Sequence, residues 1–238
     1  MPAPQFLLLA AMAEEREPFL EAADAVTGER PGPTAGSLLT EIVLDGVPGQ
    51  ILTTGIGPVN AAAALTGVLT GAPAPAQILS VGSAGGLHEN IGVGEVIIGT
   101  DLRYADVDAR AFGYAFGQVP GMPEYYPAPA PPAGATAAEY VTAGPLVTCS
   151  SFVTADLASA IRAHLPRALA VDMESAALAQ TCYLHGITSF TTIRGISDLC
   201  SPRAGEEFHD GLGLAARRSA EIARTFITQR EARPPVLP

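Results

Sequence analysis

Ala170-Val171-Asp172-Met173-Glu174-Ser175 opens a stretch that runs through a helix-like segment to Thr191-Thr192-Ile193-Arg194-Gly195-Ile196-Ser197-Asp198. A short apolar run ends in Asp172, beside Met173 and Glu174. A second apolar run, rich in Thr and Ile, ends in Arg194, Ser197 and Asp198. Strand, helix and strand in that order mark an α/β unit, and in such folds the ends of neighbouring strands converge on one crevice. Carboxylates, a guanidinium and a thioether gathered there suit a ligand that carries a sugar. A carboxylate accepts two hydroxyl hydrogen bonds at once, and methionine offers a polarizable apolar floor.

Outward from this stretch the same alternation extends along the chain. Residues 6–11 read as a buried first strand and residues 14–25 as a helix. Residues 38–44 and 50–54 read as strands around the Asp45-Gly46 turn signal. Gly55-Ile56-Gly57-Pro58 leads into an Ala- and Leu-rich helix ending near Gly71, with Pro58 in the first turn, where its missing N–H does no harm. Residues 78–81 form a short strand closed by a loop, Gly82-Ser83-Ala84-Gly85-Gly86. Residues 93–104 form a long strand that feeds an irregular, aromatic-rich loop.

Residues 127–134, Pro-Ala-Pro-Ala-Pro-Pro-Ala-Gly, are of low complexity. They predict an exposed, extended linker with little helix before Tyr140. Beyond it, strands are expected at 146–149, 168–171 and 189–194, and helices at 155–165, 174–185 and 207–229. A proline-rich tail occupies 233–238. The pattern predicts a three-layer α/β/α sandwich around a mixed, partly parallel central sheet, as one domain over residues 1–238.

The chain has 238 residues, 48% hydrophobic and 16% charged, a composition that builds a core rather than a disordered coil. A net charge of −11 without a basic stripe disfavours nucleic acid. No apolar run is long enough to span a membrane, and the N-terminus lacks the pattern of a secretory signal. Cys149, Cys182 and Cys200 are odd in number and show no CxxC spacing, which fits a reduced, cytoplasmic setting. Cys200 stands close to Asp198, but no histidine nearby in sequence would activate it as a nucleophile. His88, His164, His185 and His209 show no metal-ligand spacing and are expected at the surface or at helix ends. No cofactor is expected.

Two carboxylates can be read in more than one way. Ser197-Asp198 can cap a turn or helix. Alternatively, Asp198 is a buried strand-end acid whose pKa burial raises. Glu15 lies in Glu14-Glu15-Arg16-Glu17, where acidic residues also favour a helix start. Gly82 to Gly86 lets backbone approach a ligand without a Cβ clash, but has neither the Lys-Ser/Thr of a P-loop nor GxGxxG spacing.

The 170–198 stretch, together with Ala11-Met12-Ala13-Glu14-Glu15, Gly55-Ile56-Gly57-Pro58-Val59, Gly82-Ser83-Ala84-Gly85-Gly86-Leu87, Ala111-Phe112-Gly113-Tyr114, Gly117-Gln118-Val119-Pro120-Gly121 and Ser151-Phe152-Val153, resembles the nucleoside phosphorylase/nucleosidase superfamily. The resemblance is closest to its 5'-methylthioadenosine/S-adenosylhomocysteine nucleosidase branch and covers almost the whole chain. It implies hydrolysis of the N-glycosidic bond of both nucleosides, releasing adenine and a 5-thio-substituted ribose. Asp198 would then protonate purine N7, and Glu15 would activate the water. Glu174 would bind the ribose hydroxyls with Met173 over the sugar face, while Asp172, Arg194 and Ser197 support these groups. Phe152 would stack on the purine and the Val153 backbone would read its edge. Met12, Ile56, Ser83, Gly85 and Phe208 would complete the binding site. The resemblance further implies a homodimer in which Ala109 and Phe112 of the partner subunit line the 5' pocket.

The phosphorylase branches carry a Gly-Asp-Pro-type phosphate loop where this chain has Ala11-Met12-Ala13, so water is the implied nucleophile. Several positions depart from the nucleosidase pattern. Asp172 stands for a glutamate, Gly195 for an alanine and Ser150 for an acidic residue. Ala105 stands for a histidine, Ala109 for a valine and Arg110 for a small polar residue. The loop substitutions bear on the preferred 5' group. Two alternatives follow: a hydrolase for another 5'-substituted purine nucleoside of the futalosine type, and a non-catalytic nucleoside-binding relative.

Overall fold

The computed structural model describes residues 4–229. The proline-rich tail expected at 233–238 lies outside them. The first strand, β1 (Phe6–Ala10), shows how the core is built. Its side chains alternate between faces, as a strand's must. Phe6 and Leu8 join one buried cluster, and Leu7 and Leu9 join another. Helices α1 (Ala13–Ala22) and α5 (Ala204–Thr228) cover the first face through Phe19, Ile222, Ala223 and Phe226. Helices α2 (Pro58–Gly71) and α4 (Ser175–Leu184) cover the second through Ala61, Leu65, Leu178 and Cys182. A third cluster packs α3 (Ala155–His164) through Ala158 and Ile161 against Leu87, Val147 and Val171.

The remaining strands are β2 (Ala25–Pro31), β3 (Leu38–Leu44), β4 (Val47–Thr53), β5 (Ile78–Gly86) and β6 (Val96–Tyr104), followed by β7 (Tyr126–Pro127), β8 (Val141–Thr148), β9 (Ala170–Asp172) and β10 (Phe190–Asp198). Their sheet runs β10-β6-β8-β9-β5-β1-β4-β3-β2, with β7 beside β6 and a further pairing between β10 and β5. That extra pairing closes β5, β10, β6, β8 and β9 into a ring. The sheet is mixed: β1 is parallel to β4 and β5, whereas β10 is antiparallel to β6. It is the expected architecture, helices on both faces of a mixed sheet.

Three expectations need correction. The helix predicted over 14–25 stops at Ala22, and residues 25–31 form β2, an edge strand antiparallel to β3. Ala22-Ala23 reads as helical, and Gly28, Glu29 and Pro31 weaken any strand signal, so only pairing with β3 reveals β2. Gly82 to Gly86 is not a loop but the second half of β5, paired with β10 from Gly82↔Arg194 onward and with β9 at Gly85↔Val171. Cross-strand hydrogen bonding overrides the glycine content there. For the same reason β10 continues past Arg194 to Asp198. The proline-rich segment holds no helix before Tyr140, as expected, although Ala135, just after it, is fully buried.

Candidate active site

A cavity of about 470 Å³ opens where β5, β9 and β10 end and the N-terminal turns of α1, α4 and α5 meet. Met12, Glu15, Ile56, Ser83, Gly85, Phe152, Val153, Asp172, Met173, Glu174, Ser197, Asp198 and Phe208 all line it. Of the described residues expected from its own subunit, Arg194 does not; Ala109 and Phe112, expected to line the partner subunit's cavity, are absent from this one. Arg194 is buried behind the wall, Ala109 is buried in its own subunit, and Phe112 is 83% exposed. Ala11, Ala84, Ser151, Val171, Cys200, Gly205 and His209 also line the cavity. For His209 the sequence predicts only a surface or helix-end place. Its position one residue after Phe208 is the signal that could have linked it to the site.

Glu15 sits in the first turn of α1 yet is buried, unlike Glu14. The reason lies across the sheet. Its Oε1 accepts hydrogen bonds from the Ser83 N–H and hydroxyl, both 2.8 Å, and Oε2 accepts the Ala11 N–H at 2.9 Å. Gly82, at φ 139°, permits this approach, because a Cβ there would overlap the Glu15 carboxyl and come within 2.7 Å of Arg194 Nη1. Glu15 thus stands at a helix start but faces the interior, and favouring the helix start is not its only role.

Asp198 closes β10 just after a bulge. Its Oδ1 accepts the Cys200 N–H and its Oδ2 the Ser197 hydroxyl, both at 2.9 Å. Cys200 reaches that carboxylate from a left-handed conformation, φ 53°. Burial pushes the Asp198 carboxyl above the usual carboxylate range; these two hydrogen bonds oppose the rise and Glu207 adds to it. Burial also pushes the Cys200 thiol up to about 12. It stays protonated at neutral pH and is no nucleophile.

Glu174 is the N-cap of α4. Its Oε1 accepts the Gly57 N–H at the start of α2, 2.8 Å away, and its Oε2 lies 3.5 Å from Arg194 Nη2. Burial pushes its carboxyl up to about 7; Arg194 and the Gly57 N–H oppose this, whereas Asp172 and Glu15 reinforce it. Asp172 is committed to the protein interior. It accepts from Thr148 Oγ1 at 2.6 Å and Arg194 Nε at 2.8 Å, as well as from the Ser175 hydroxyl and N–H. Phe152 and Phe208 meet edge to face, with centroids 5.8 Å apart.

The arrangement combines an acid with a raised pKa, a second carboxylate held by three donors, a third carboxylate beside the buried guanidinium and an aromatic wall. Among the described residues, no arginine or lysine lines the cavity. Nor, among them, is any cluster of three His, Cys, Asp or Glu placed to hold a metal ion. None of their helices is long and apolar enough to cross a membrane.

A sequence model of the phosphorylase superfamily matches residues 5–228. Over 229 residues the chain is 37% identical to the 5'-methylthioadenosine/S-adenosylhomocysteine nucleosidase of Chromohalobacter salexigens, covering 92% of this chain and 95% of that protein. It is similar in structure to the 5'-methylthioadenosine/S-adenosylhomocysteine nucleosidase from Neisseria meningitidis in complex with methylthio-immucillin-A. The TM-score is 0.85 at 32% identity, over 94% of this chain and 98% of the other. The futalosine hydrolase of Helicobacter pylori has a TM-score of 0.83 at 23% identity, over 95% of this chain and 98% of the other, a likeness of fold alone.

Proposed function

Because the chain belongs to the phosphorylase superfamily, in its 5'-methylthioadenosine/S-adenosylhomocysteine nucleosidase branch, we propose that it hydrolyses the N-glycosidic bond of 5'-methylthioadenosine and S-adenosylhomocysteine. The products are adenine and the 5-thio-substituted ribose. The observation that carries this reading is Glu15 and Asp198 on one cavity, with no arginine or lysine among the described residues that line it to hold phosphate.

Asp198 is the general acid. A carboxyl with a raised pKa keeps a proton to give, and transfer to purine N7 makes the base a better leaving group. As the N9–C1' bond breaks, the ribose gains oxocarbenium character. Water adds to C1' and loses a proton to Glu15. A carboxylate has about four lone-pair sites, so three internal donors leave Glu15 one for that water. Glu174 binds the ribose hydroxyls, with Met173 over the sugar face. Phe152 stacks on the adenine, and the Val153 backbone reads its edge.

The 5' substituent then lies among Met12, Ile56 and Phe208, and a second copy of the chain completes this pocket with Phe112. Supporting that assembly, Ile56, Val59 and Phe112 are 53%, 78% and 83% exposed, large apolar side chains with no cover in the single subunit. Ala109, buried in its own subunit, contributes backbone shape to this loop rather than a contact surface.

The deciding measurement is chromatography of free base released from a panel of adenine nucleosides, with and without phosphate. Adenine and a free thio-ribose, formed equally in both conditions, support the proposal. A sugar 1-phosphate, or no release from either thio-nucleoside, overturns it.

A further inference from the structure

Arg194 is a fully buried charged side chain behind the cavity wall, and it offers five hydrogens in one fixed plane. Nε donates to Asp172 at 2.8 Å and Nη1 to the Val81 carbonyl at 2.9 Å. Nη2 donates to Ser80 Oγ at 2.9 Å and to Ser175 Oγ at 3.3 Å. Those two serines take both Nη2 hydrogens. Glu174 Oε2, 3.5 Å from the same nitrogen, receives the charge of the guanidinium but no hydrogen bond.

Ser175 is fitted to this task. Asp172 presents only acceptors here, so the Ser175 hydroxyl must donate to it. The hydrogen bond to Thr192 Oγ1, 2.6 Å, therefore runs from Thr192 to Ser175. With one donor and two acceptor sites, the hydroxyl is saturated and cannot turn away from Arg194. Ser80, Ser175 and Thr192 are all fully buried, and none lines the cavity.

We propose that Ser80 and Ser175 are positioning residues for ribose recognition. By occupying both Nη2 hydrogens of Arg194, they leave Glu174 Oε2 stabilised yet open to a substrate hydroxyl. The proposal rests on the reading of Glu174 as the ribose-binding group. Remove either serine hydroxyl and the rigid guanidinium plane, no longer held on both sides of Nη2, tilts about its Asp172 and Val81 contacts and brings an Nη2 hydrogen within reach of Oε2, where it competes with the ribose.

Ser175→Ala and Ser80→Ala test this from two different elements; the second leaves the Asp172 contacts intact, so it serves if the first does not fold. The readout is kcat/KM for an adenine ribonucleoside divided by that for its 2'-deoxy and 3'-deoxy counterparts, alongside melting temperature and free-adenine affinity. The expected result is a ribo-to-deoxy ratio lowered about tenfold in a folded variant, through KM, with adenine affinity unchanged. A variant that loses activity equally on all three substrates, keeping the wild-type ratio, overturns the proposal. If the wild type itself shows no preference for the ribonucleoside, or Glu174→Gln keeps the preference, the reading of Glu174 falls and the proposal with it. If Glu174→Gln abolishes the preference while both serine variants keep it, only the proposal falls.

Discussion

Gly195 of β10 and Ala215 of α5 meet through their backbones: a Cβ on Gly195 would overlap the Ala215 carbonyl. One turn earlier on the same helix, Gly211 meets the Ser197 carbonyl in the same way. These two contacts hold the first half of α5 on the strand that ends in Asp198, and so hold Phe208 over the cavity. Gly195 is one of the departures from the nucleosidase pattern, where alanine is usual. The close approach gives the physical reason for glycine here. Gly195→Ala should destabilise the fold by ~1–3 kcal/mol, the scale of an overpacked core, in a chemical denaturation curve. Unchanged stability would mean that α5 can slide away freely.

Asp198→Asn should remove most turnover while leaving affinity for a substrate analogue within about tenfold, or ~1.4 kcal/mol. The amide keeps the geometry: its oxygen accepts the Cys200 N–H, and its nitrogen donates to Ser197 Oγ, whose own hydrogen can go to the Ala84 carbonyl. Only the transferable proton is lost. Near-normal kcat in this variant would take the acid role from Asp198.

The same carboxyl sets a pH dependence of stability. Its pKa in the folded state is raised, so its contribution is fully present below the unfolded carboxylate pKa of about 3.9 and is lost as pH rises through the folded value. An amide in its place cannot ionise. The melting temperature of Asp198→Asn should therefore gain on wild type as pH is increased, and the opposite trend toward alkaline pH would contradict the raised pKa.

Glu15→Gln should abolish hydrolysis, because an amide cannot take a proton from water. The fold is kept, with the amide oxygen still accepting from Ser83, at a cost of about 1–3 kcal/mol where the amide nitrogen faces the Ala11 N–H, donor against donor. Circular dichroism and product analysis check both halves. Added phosphate should not restore activity; a phosphorylated sugar product would overturn water as the nucleophile.

Much of this was legible in residue order. The placement of Glu15, Glu174 and Asp198 at element ends follows from periodicity and from the motif blocks, and all three do line one cavity. What sequence concealed were pairings made across the sheet. Nothing local shows that Gly82 to Gly86 continues a strand, that Ser83 lies beneath Glu15, or that β2 exists at all. Asp172 reads as a cavity group by position, yet Thr148, Ser175 and Arg194, up to 24 residues away, turn its oxygens inward. Hydrogen-bond direction in a buried network depends on which partners remain, and no single residue carries that information.

Phe112 tests the assembly. It follows Arg110 and Ala111 in a 3-10 turn that ends at a left-handed Gly113, φ 83°, so the loop presents the ring outward instead of folding it onto its own subunit. An aromatic ring 83% exposed on an acidic chain suits an apolar pocket on another copy better than a membrane or nucleic acid. If Phe112 closes the partner's 5' pocket, Phe112→Ala should weaken binding of 5'-thioalkyl substrates by ~2 kcal/mol or more, the scale of a buried aromatic anchor. Adenosine, which lacks the thioalkyl group, should lose less. Competition binding with the two ligands separates these effects. Sedimentation of the wild type as a monomer at micromolar concentration, with full activity, would rule out a shared site and leave Phe112 an ordinary surface side chain.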